Sequence, residues 1–385
     1  MVEYQVSQLN NFLLRKQHLS EETKGEDVLQ VAKDIWGLHA TYASTPYLSL
    51  FNRIINFRKE SLDRELLEKR LVKIRCVRKT VHIIPKENVS IAFSATKESI
   101  QINSEKYYKF IGVAEREYEE VSKSILKLLQ NRGMNTSEIK KELNTEANLF
   151  PIINIMCDLG ILVRGLSKAG WKSNSHTYYR VDEYLPDVNL NKYSQEGARK
   201  ILVSQYLASF GPVTITDISW WTGFPKTQVR KIVDGLSDLE HVTIYGIGEH
   251  IVSEKDVNKI KNVSENNNHD INLLPALDPY IMGYKERDRY LDKEYFNYIF
   301  DRAGSGTTTI VNNGKIIGVW GFEEKPIPLI KIFMFEEDGR ISKEIEKKAK
   351  EIGNFIYEKE VIVKKCDDMT PLDKRTTGGF MTPLK

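Results

Sequence analysis

The stretch Trp36-Gly37-Leu38-His39-Ala40-Thr41 sets an imidazole and a hydroxyl two residues apart, around one apolar residue. An imidazole titrates close to neutral pH and can take a proton from water. A threonine hydroxyl donates and accepts hydrogen bonds, so it can orient that water. The same pattern also fits the polar end of a helix whose side chains are satisfied by backbone, and spacing alone leaves both readings open. Other chemistry-bearing residues are more scattered. Between Lys69 and Lys86 the chain carries Lys69, Arg70, Lys73, Arg75, Arg78, Lys79 and Lys86 without one acid. Such a run can hold phosphates, or it can be a solvated edge hairpin that resists sheet association. Asp278, inside LLPALDPYIMG, is expected to cap or brace a loop. His82, in KTVHIIP, reads as a structural residue bonded to backbone. There is no HExxH, no CxxC and no P-loop. GSGTTT at 304–309 lacks the lysine a phosphate loop needs and reads as a turn.

The elements that must position these residues follow from periodicity. Residues 1–72 read mostly as helix, with Val28, Leu29, Ala32, Ile35 and Trp36 forming one apolar stripe and Pro46 breaking it. KIRCVRKTVHIIP then has the period of two short strands around a turn at Arg78-Lys79. SILKLLQNRGMNTSEIKKEL reads as helix, turn and helix, with Ser137 as cap. A third helix runs from about Leu149 to Asp158, and ILVRGL is a strand. ILVSQYLASFGPVTITDISWW repeats the plan with Thr216 as cap, followed by the helix FPKTQVRKIVDGL and the strand HVTIYGI. Ser137-Glu138-Ile139 and Thr216-Asp217-Ile218 share an offset, which argues for tandem copies of one unit. Lys226, Arg230 and Lys231 occupy a recognition-helix position but are thin for a base reader. ENNNHD at 265–270 is a connector. Beyond it, GTTTIVNNGKIIGVWGF is a hairpin with an Asn-Asn-Gly turn. LIKIFMF and VIVKK are further strands, with a charged helix from Ile341 to Tyr357 between them. The tail DKRTTGGFMTPLK has little to pack.

Composition bounds the class. At 385 residues, with 41% hydrophobic and 28% charged residues, the chain reads as a soluble globular protein of several compact units. Its +3 formal charge (56 basic against 53 acidic) does not single out nucleic acid. Cys76, Cys157 and Cys366 lack metal-ligand spacing, which fits a reduced compartment. No apolar run approaches the roughly 18 residues of a membrane span, and no signal pattern opens the sequence. A cytoplasmic protein is expected.

Five segments in order carry a resemblance: WGLHATYASTPYLSLFNR, VRKTVHIIPKENV, ASFGPVTITDISWWTGF, LLPALDPYIMGYKERDRYL and VNNGKIIGVWGF. Together they resemble the AlkZ/YcaQ-like winged-helix DNA glycosylases, which remove alkylated purines and unhook interstrand crosslinks. The likeness spans nearly the whole chain. It implies an α+β protein of three tandem winged helices, at 1–112, 113–190 and 191–255, and a β-rich C-terminal α+β domain at 270–385. In that family a Gly-Leu precedes two polar catalytic residues around one apolar residue, usually two glutamines or a glutamine and an aspartate. By position the resemblance makes His39 and Thr41 the catalytic pair, and neither is the usual residue.

The implied reaction is hydrolysis of the N-glycosidic bond, in DNA, of alkylated or bulky-adducted purines, crosslinked ones among them. An N7- or N3-alkylated purine is already cationic and leaves without protonation, so the site need only position water and tolerate an oxocarbenium-like sugar. Neutral His39 would accept a proton from that water, and its protonation would oppose the developing cation, so activity should fall in acid. No metal or organic cofactor is implied. Arg75, Arg78 and Lys79 are expected to contact the DNA backbone. The expected partner is double-stranded DNA with modified purines, bound by a monomer in the cytoplasm at the nucleoid. The alternative is a non-enzymatic winged-helix DNA-binding protein, a regulator or lesion binder with a degenerate motif.

Overall fold

The computed structural model describes residues 3–111, 115–263, 269–324 and 326–374. Most of the expected connector at 265–270 and of the tail beyond Lys374 lies outside the described residues. The chain forms two compact units, one from Met1–Asp27, Leu48–Phe57 and Tyr206–Lys385, the other from Val28–Tyr47 and Arg58–Gln205. The described residues form a mixed α+β structure with three sheets. Among the described residues no helix is long and apolar enough to cross a membrane.

The second unit is built on a five-stranded antiparallel sheet in the order Leu38–His39, Val81–Pro85, Leu71–Arg75, Leu162–Arg164, Tyr178–Arg180. The expected hairpin is present, and its turn is a short helical segment, Val77–Lys79, with Arg78 and Lys79 at positive φ. The helices Glu115–Leu128, Thr136–Leu143 and Phe150–Asp158 pack an apolar cluster of Ile125, Leu129, Ile139, Ile153 and Met156 against Leu162 and Tyr178 of the sheet. Removing such side chains from water is the main stabilising term.

The cap of Thr136–Leu143 is Asn135, not Ser137. Asn135 Oδ1 accepts from the Glu138 N–H at 2.9 Å, and Glu138 Oε2 accepts from the Asn135 N–H at 2.7 Å. In the first unit the cap of Ile215–Thr222 is Thr214, not Thr216, in the same reciprocal box with Asp217. The correction has one cause: the box needs its acid at the third helical position, which sets the cap three residues before the acid. Thr216 Oγ1 instead accepts from Lys226 Nζ.

The first unit holds a five-stranded sheet in the order Ile362–Lys365, Leu329–Met334, Lys315–Glu323, Thr309–Asn312, Ile271–Leu274. The expected hairpin turn sits at Asn313-Gly314, both at positive φ (45° and 83°). That is the geometry in which an Asn-Gly pair matches strand twist. The helix Ser342–Tyr357 buries Ile345, Ala349, Ile352 and Ile356. A three-stranded sheet joins Glu3–Tyr4, Leu239–Ile244 and Gly248–Ser253. The turn expected at 304–309 lies a little earlier, closed by the Gly304 N–H on the Asp301 carbonyl with Gly304 at φ 78°, and a strand starts at Thr309.

Asp278 braces its segment as expected, accepting from the Tyr280 N–H at the start of Pro279–Met282. It also pairs with Arg53 through two bonds of 2.8 and 2.7 Å and accepts from Ser49 Oγ, with both charges fully buried. The Arg53 fork is further satisfied by the Gln17 and Ser49 carbonyls. A buried pair of this kind needs those extra bonds to offset the loss of hydration.

The helix that was expected to run into a break at Pro46 ends sooner. Val28–Asp34 is helical, Trp36 and Gly37 take positive φ (56° and 91°), and Leu38–His39 is a strand. Pro46 breaks nothing, because it is the second residue of the helix Thr45–Phe51, where its missing N–H has no helical acceptor to serve. A Cβ on Gly37 would stand 2.6 Å from the Ile83 carbonyl oxygen and 2.7 Å from Ile84 Cγ2. Gly37→Ala should therefore lower the unfolding free energy by about 1–3 kcal/mol in urea titrations. An unchanged midpoint would show that this close approach does not hold the strand.

Candidate active site

Residue 39 lies in a strand and not at a helix end. The Leu38–His39 strand pairs with Val81–Pro85 so that His39 stands opposite His82. Opposed residues share a sheet face, and the two ring centroids are 4.8 Å apart at an interplanar angle of 54°. Trp36 closes over His82, ring centroids 6.2 Å apart and nearly perpendicular. Its indole N–H donates to Gln205 Oε1 at 3.0 Å, and the Gln205 amide donates in turn to Asn88. His39 is 5% exposed and His82 8%.

The partners assign the tautomers. His82 Nδ1 lies 3.2 Å from the Thr80 carbonyl, so it carries the proton, in line with the structural role expected for this residue. At His39 the relation is reversed. The Thr41 N–H donates to Nδ1 at 3.4 Å, which puts that lone pair beside Thr41. Thr41 is exposed, one residue past Ala40, whose N–H donates to the Val81 carbonyl. The His39–Thr41 bond is at the long edge of hydrogen-bond range, so the lone pair is only weakly engaged.

Burial depresses both imidazoles. His39 is held well below the ordinary 6.5 by desolvation, with His82 and Arg78 adding repulsion. His82 is pushed down to about 4, again by desolvation, with the Thr80 carbonyl opposing and Arg78 reinforcing. His39 therefore keeps its lone pair at neutral pH, and the acid-side loss expected from its protonation moves well below pH 6.5.

The basic run is less basic in space than in sequence. Arg75 Nη1 pairs with buried Asp158 at 2.7 Å, Lys86 pairs with Asp187 at 2.6 Å, and Arg70 is held by Glu65. Arg78 is half-buried near the histidines, and Lys79 is exposed at the tip of the turn. Of the three residues expected to meet DNA, Arg75 is thus committed to an internal carboxylate, while Arg78 and Lys79 share one turn. Lys73, in the run for which phosphate binding and a solvated hairpin both stood open, is buried.

Lys73 belongs to a second cluster that the sequence did not show. Strand neighbours alternate faces. His82 is opposite Ile74, whereas Lys73 is opposite Ile83 and Arg164. The histidines and the Lys73–Arg164 pair therefore lie on opposite faces of one sheet. Tyr47 Oη donates to Asp63 at 2.5 Å, and burial together with that carboxylate raises the phenol pKa far above 10. The Tyr47 ring is 5.6 Å from that of Trp171. Lys59 and Lys172 lie 4.8 and 5.3 Å from the Trp171 ring centroid. The aromatic-basic loop GLSKAGWKSNSH at 165–176 is a sequence signal that could have pointed to this cluster.

The model of the family described as "DNA glycosylase AlkZ-like" matches residues 32–326. The chain belongs to the AlkZ-like DNA glycosylase family. All five segments that carried the resemblance fall within that span, so the family expectation is borne out. An AlkZ-like relative, the interstrand DNA cross-link repair glycosylase of Streptomyces sahachiroi, is 20% identical over 358 residues, covering 88% of this chain and 93% of that protein. The solved structure of Streptomyces sahachiroi DNA glycosylase AlkZ matches with a TM-score of 0.76 at 18% identity, over 95% of this chain and 100% of that one. That likeness bears on fold, and it supports the mixed α+β architecture. The AlkZ-like span includes His39, Thr41, Arg75, Arg78 and Lys79.

The neutral histidines give a pH prediction. Unfolded histidine takes its proton near pH 6.5, whereas folded His82 resists until about pH 4. Within that window the unfolded chain binds more protons. The stability contribution is complete above about 6.5 and is lost as pH falls, by up to about 1.4 kcal/mol per pH unit for each such histidine. Urea unfolding of the parent and of His82→Asn, whose amide can still donate to Thr80, should show a shallower acid slope in the variant by about that amount. Equal slopes would mean that His82 titrates normally.

Proposed function

We propose that this chain hydrolyses the N-glycosidic bond of alkylated or bulky-adducted purines in duplex DNA, crosslinked purines included. Family membership supports the glycosylase reaction, and the Streptomyces sahachiroi relative, by its name, repairs interstrand cross-links. The observation that carries the reading is the lone pair of buried, neutral His39 set beside the exposed hydroxyl residue Thr41.

A water at the exposed end of the strand would donate to His39 Nδ1 and hydrogen-bond Thr41 Oγ1. Its oxygen bonds to C1′ as the C1′–N bond breaks, the cationic base leaves neutral with that electron pair, and the surplus proton passes to bulk water. Two partners fix the attacking water's orientation, which matters because the leaving base is already cationic and needs no acid. Keeping His39 uncharged avoids adding a positive charge beside an oxocarbenium-like sugar. Burial and the neighbouring His82 and Arg78 serve that end by opposing protonation. Lys79 and Arg78, on the turn next to Val81, are the proposed contacts to the DNA backbone. Arg75 acts on them only through the sheet, since Asp158 holds its guanidinium.

The reading also carries three tandem winged helices, supported by two capping boxes 79 residues apart in sequence, Asn135/Glu138 and Thr214/Asp217. A monomer acting at the nucleoid remains part of the same proposal.

With N7-methylguanine duplex as substrate, the parent is expected to release free base and leave alkali-labile abasic sites. His39→Ala should reduce single-turnover release by about 10²-fold or more, as misplacing a reactant does. Thr41→Ala should reduce it less. Base release by His39→Ala at the parental rate sinks the catalytic role, and tight binding without any release by the parent favours a non-enzymatic lesion binder.

A further inference from the structure

Buried cations in this protein are matched in two ways. Arg53 meets Asp278 directly. Arg289, 6% exposed, is surrounded by rings, its guanidinium carbon 4.9, 4.1 and 4.6 Å from the centroids of Tyr280, Tyr284 and Tyr290. Lys73 and Arg164 have neither arrangement. They are 7% and 4% exposed and directly opposed on adjacent strands, which sets their Cβ atoms roughly 5 Å apart on one face.

Among the described residues Lys73 makes no hydrogen bond or ion pair. Asp63, which already accepts from Tyr47, is the one acid whose field reaches it. Arg164 donates to the neutral amide oxygen of Asn154 at 2.7 Å and pairs with no carboxylate among the described residues. Nearby His176, whose ring feels both cations, has a buried Nδ1 with no partner, and so does Thr177 Oγ1. Two adjacent cations without a matching anion are costly in a protein interior. Desolvation and Arg164 already push the Lys73 ammonium down to about 8.

The surroundings indicate what supplies the missing charge. The loop from Arg164 to Tyr178 carries Lys168, Trp171 and Lys172, with Lys59 and Lys172 Nζ 4.8 and 5.3 Å from the Trp171 ring centroid and the Tyr47 ring 5.6 Å from it. An aromatic platform flanked by ammonium groups suits a nucleobase and its phosphate. In the same loop Asn174 Oδ1 accepts from the Ala43 N–H at 2.8 Å, tying the loop to the segment just after Thr41. We propose that Lys73 and Arg164, with His176, form an oxyanion subsite that holds one phosphodiester of the nucleic-acid substrate. This rests on the DNA reading above. It adds to that reading a phosphate contact from inside the sheet, on the face away from the histidine pair.

The test compares the parent with Lys73→Met, which keeps length and removes charge. In chloride buffer Lys73→Met should be as stable as the parent or more so, because an unmatched buried charge is gone. Inorganic phosphate at constant ionic strength should raise the parent's Tm and leave that of Lys73→Met unchanged. Affinity for a duplex with an abasic-site analogue should fall about tenfold or more in the variant, with a shallower salt dependence. If Lys73→Met does not fold, Lys73→Gln takes its place.

No phosphate response in the parent, or the same response in parent and variant, overturns the subsite. A phosphate response that depends on Lys73, with duplex affinity unaltered, overturns the phosphodiester as its occupant and leaves the glycosylase reading intact. A parent that responds to phosphate through Lys73 but binds no duplex keeps the oxyanion site and removes the DNA reading.

Discussion

Much of the second unit follows from one close approach, the pairing of Leu38–His39 against Val81–Pro85. A Cβ on Gly37 would fall 2.6 Å from the Ile83 carbonyl oxygen, so a side chain there would push the strands apart. With the strands in register, two imidazoles are pressed together out of water, and Trp36 covers one of them. Their burial makes them neutral, which is the state a water-directing histidine needs beside a developing cation. Thr41 emerges exposed from the same strand end because pairing stops one residue earlier, at the Ala40–Val81 bond. Geometry, protonation state and exposure at the candidate site thus share one origin.

Charge is handled differently in different parts of the chain, and the differences are informative. Arg53 and Asp278 neutralise each other completely inside the first unit. In the basic stretch from Lys69 to Lys86, Arg75 and Lys86 meet acids distant in sequence, Asp158 and Asp187, and Arg70 meets the nearby Glu65. Two other groups are localised: the Arg78–Lys79 turn, and the Lys73–Arg164 pair on the sheet face away from the histidines. A near-neutral chain can therefore present positive charge at particular places, which whole-chain counting cannot show.

Sequence patterns were most informative where a rule is local. The Asn313-Gly314 hairpin, the Lys73-to-Pro85 hairpin, the charged C-terminal helix and the cap at Asp278 all follow from turn chemistry and short-range periodicity. Misplaced caps at Ser137 and Thr216 came from choosing the hydroxyl nearest the helix over the residue three before the acid. His39 was read at the end of an amphipathic helix because the apolar stripe from Val28 to Trp36 continues past the true helix end. Only the left-handed turn at Trp36-Gly37 reveals the change to strand, and its reason is a contact with Ile83, some 46 positions away. The burial of Lys73 is not legible in the sequence for a related reason. In LVKIR a lysine between apolar neighbours looks solvent-facing, and its burial depends on the later strand Leu162–Arg164. Ordered motif resemblance reached the family and the position of the pair, but not the ionisation of either histidine.

The account turns on His39 acting as an uncharged acceptor, and the pH dependence of single-turnover base release tests that most directly. The rate on N7-methylguanine duplex should stay level from about pH 8 through 6.5 and decline only in distinctly more acidic solution, because burial, His82 and Arg78 all oppose protonation. A rate that falls with a midpoint near 6.5, the value of an ordinary solvated histidine, would contradict it.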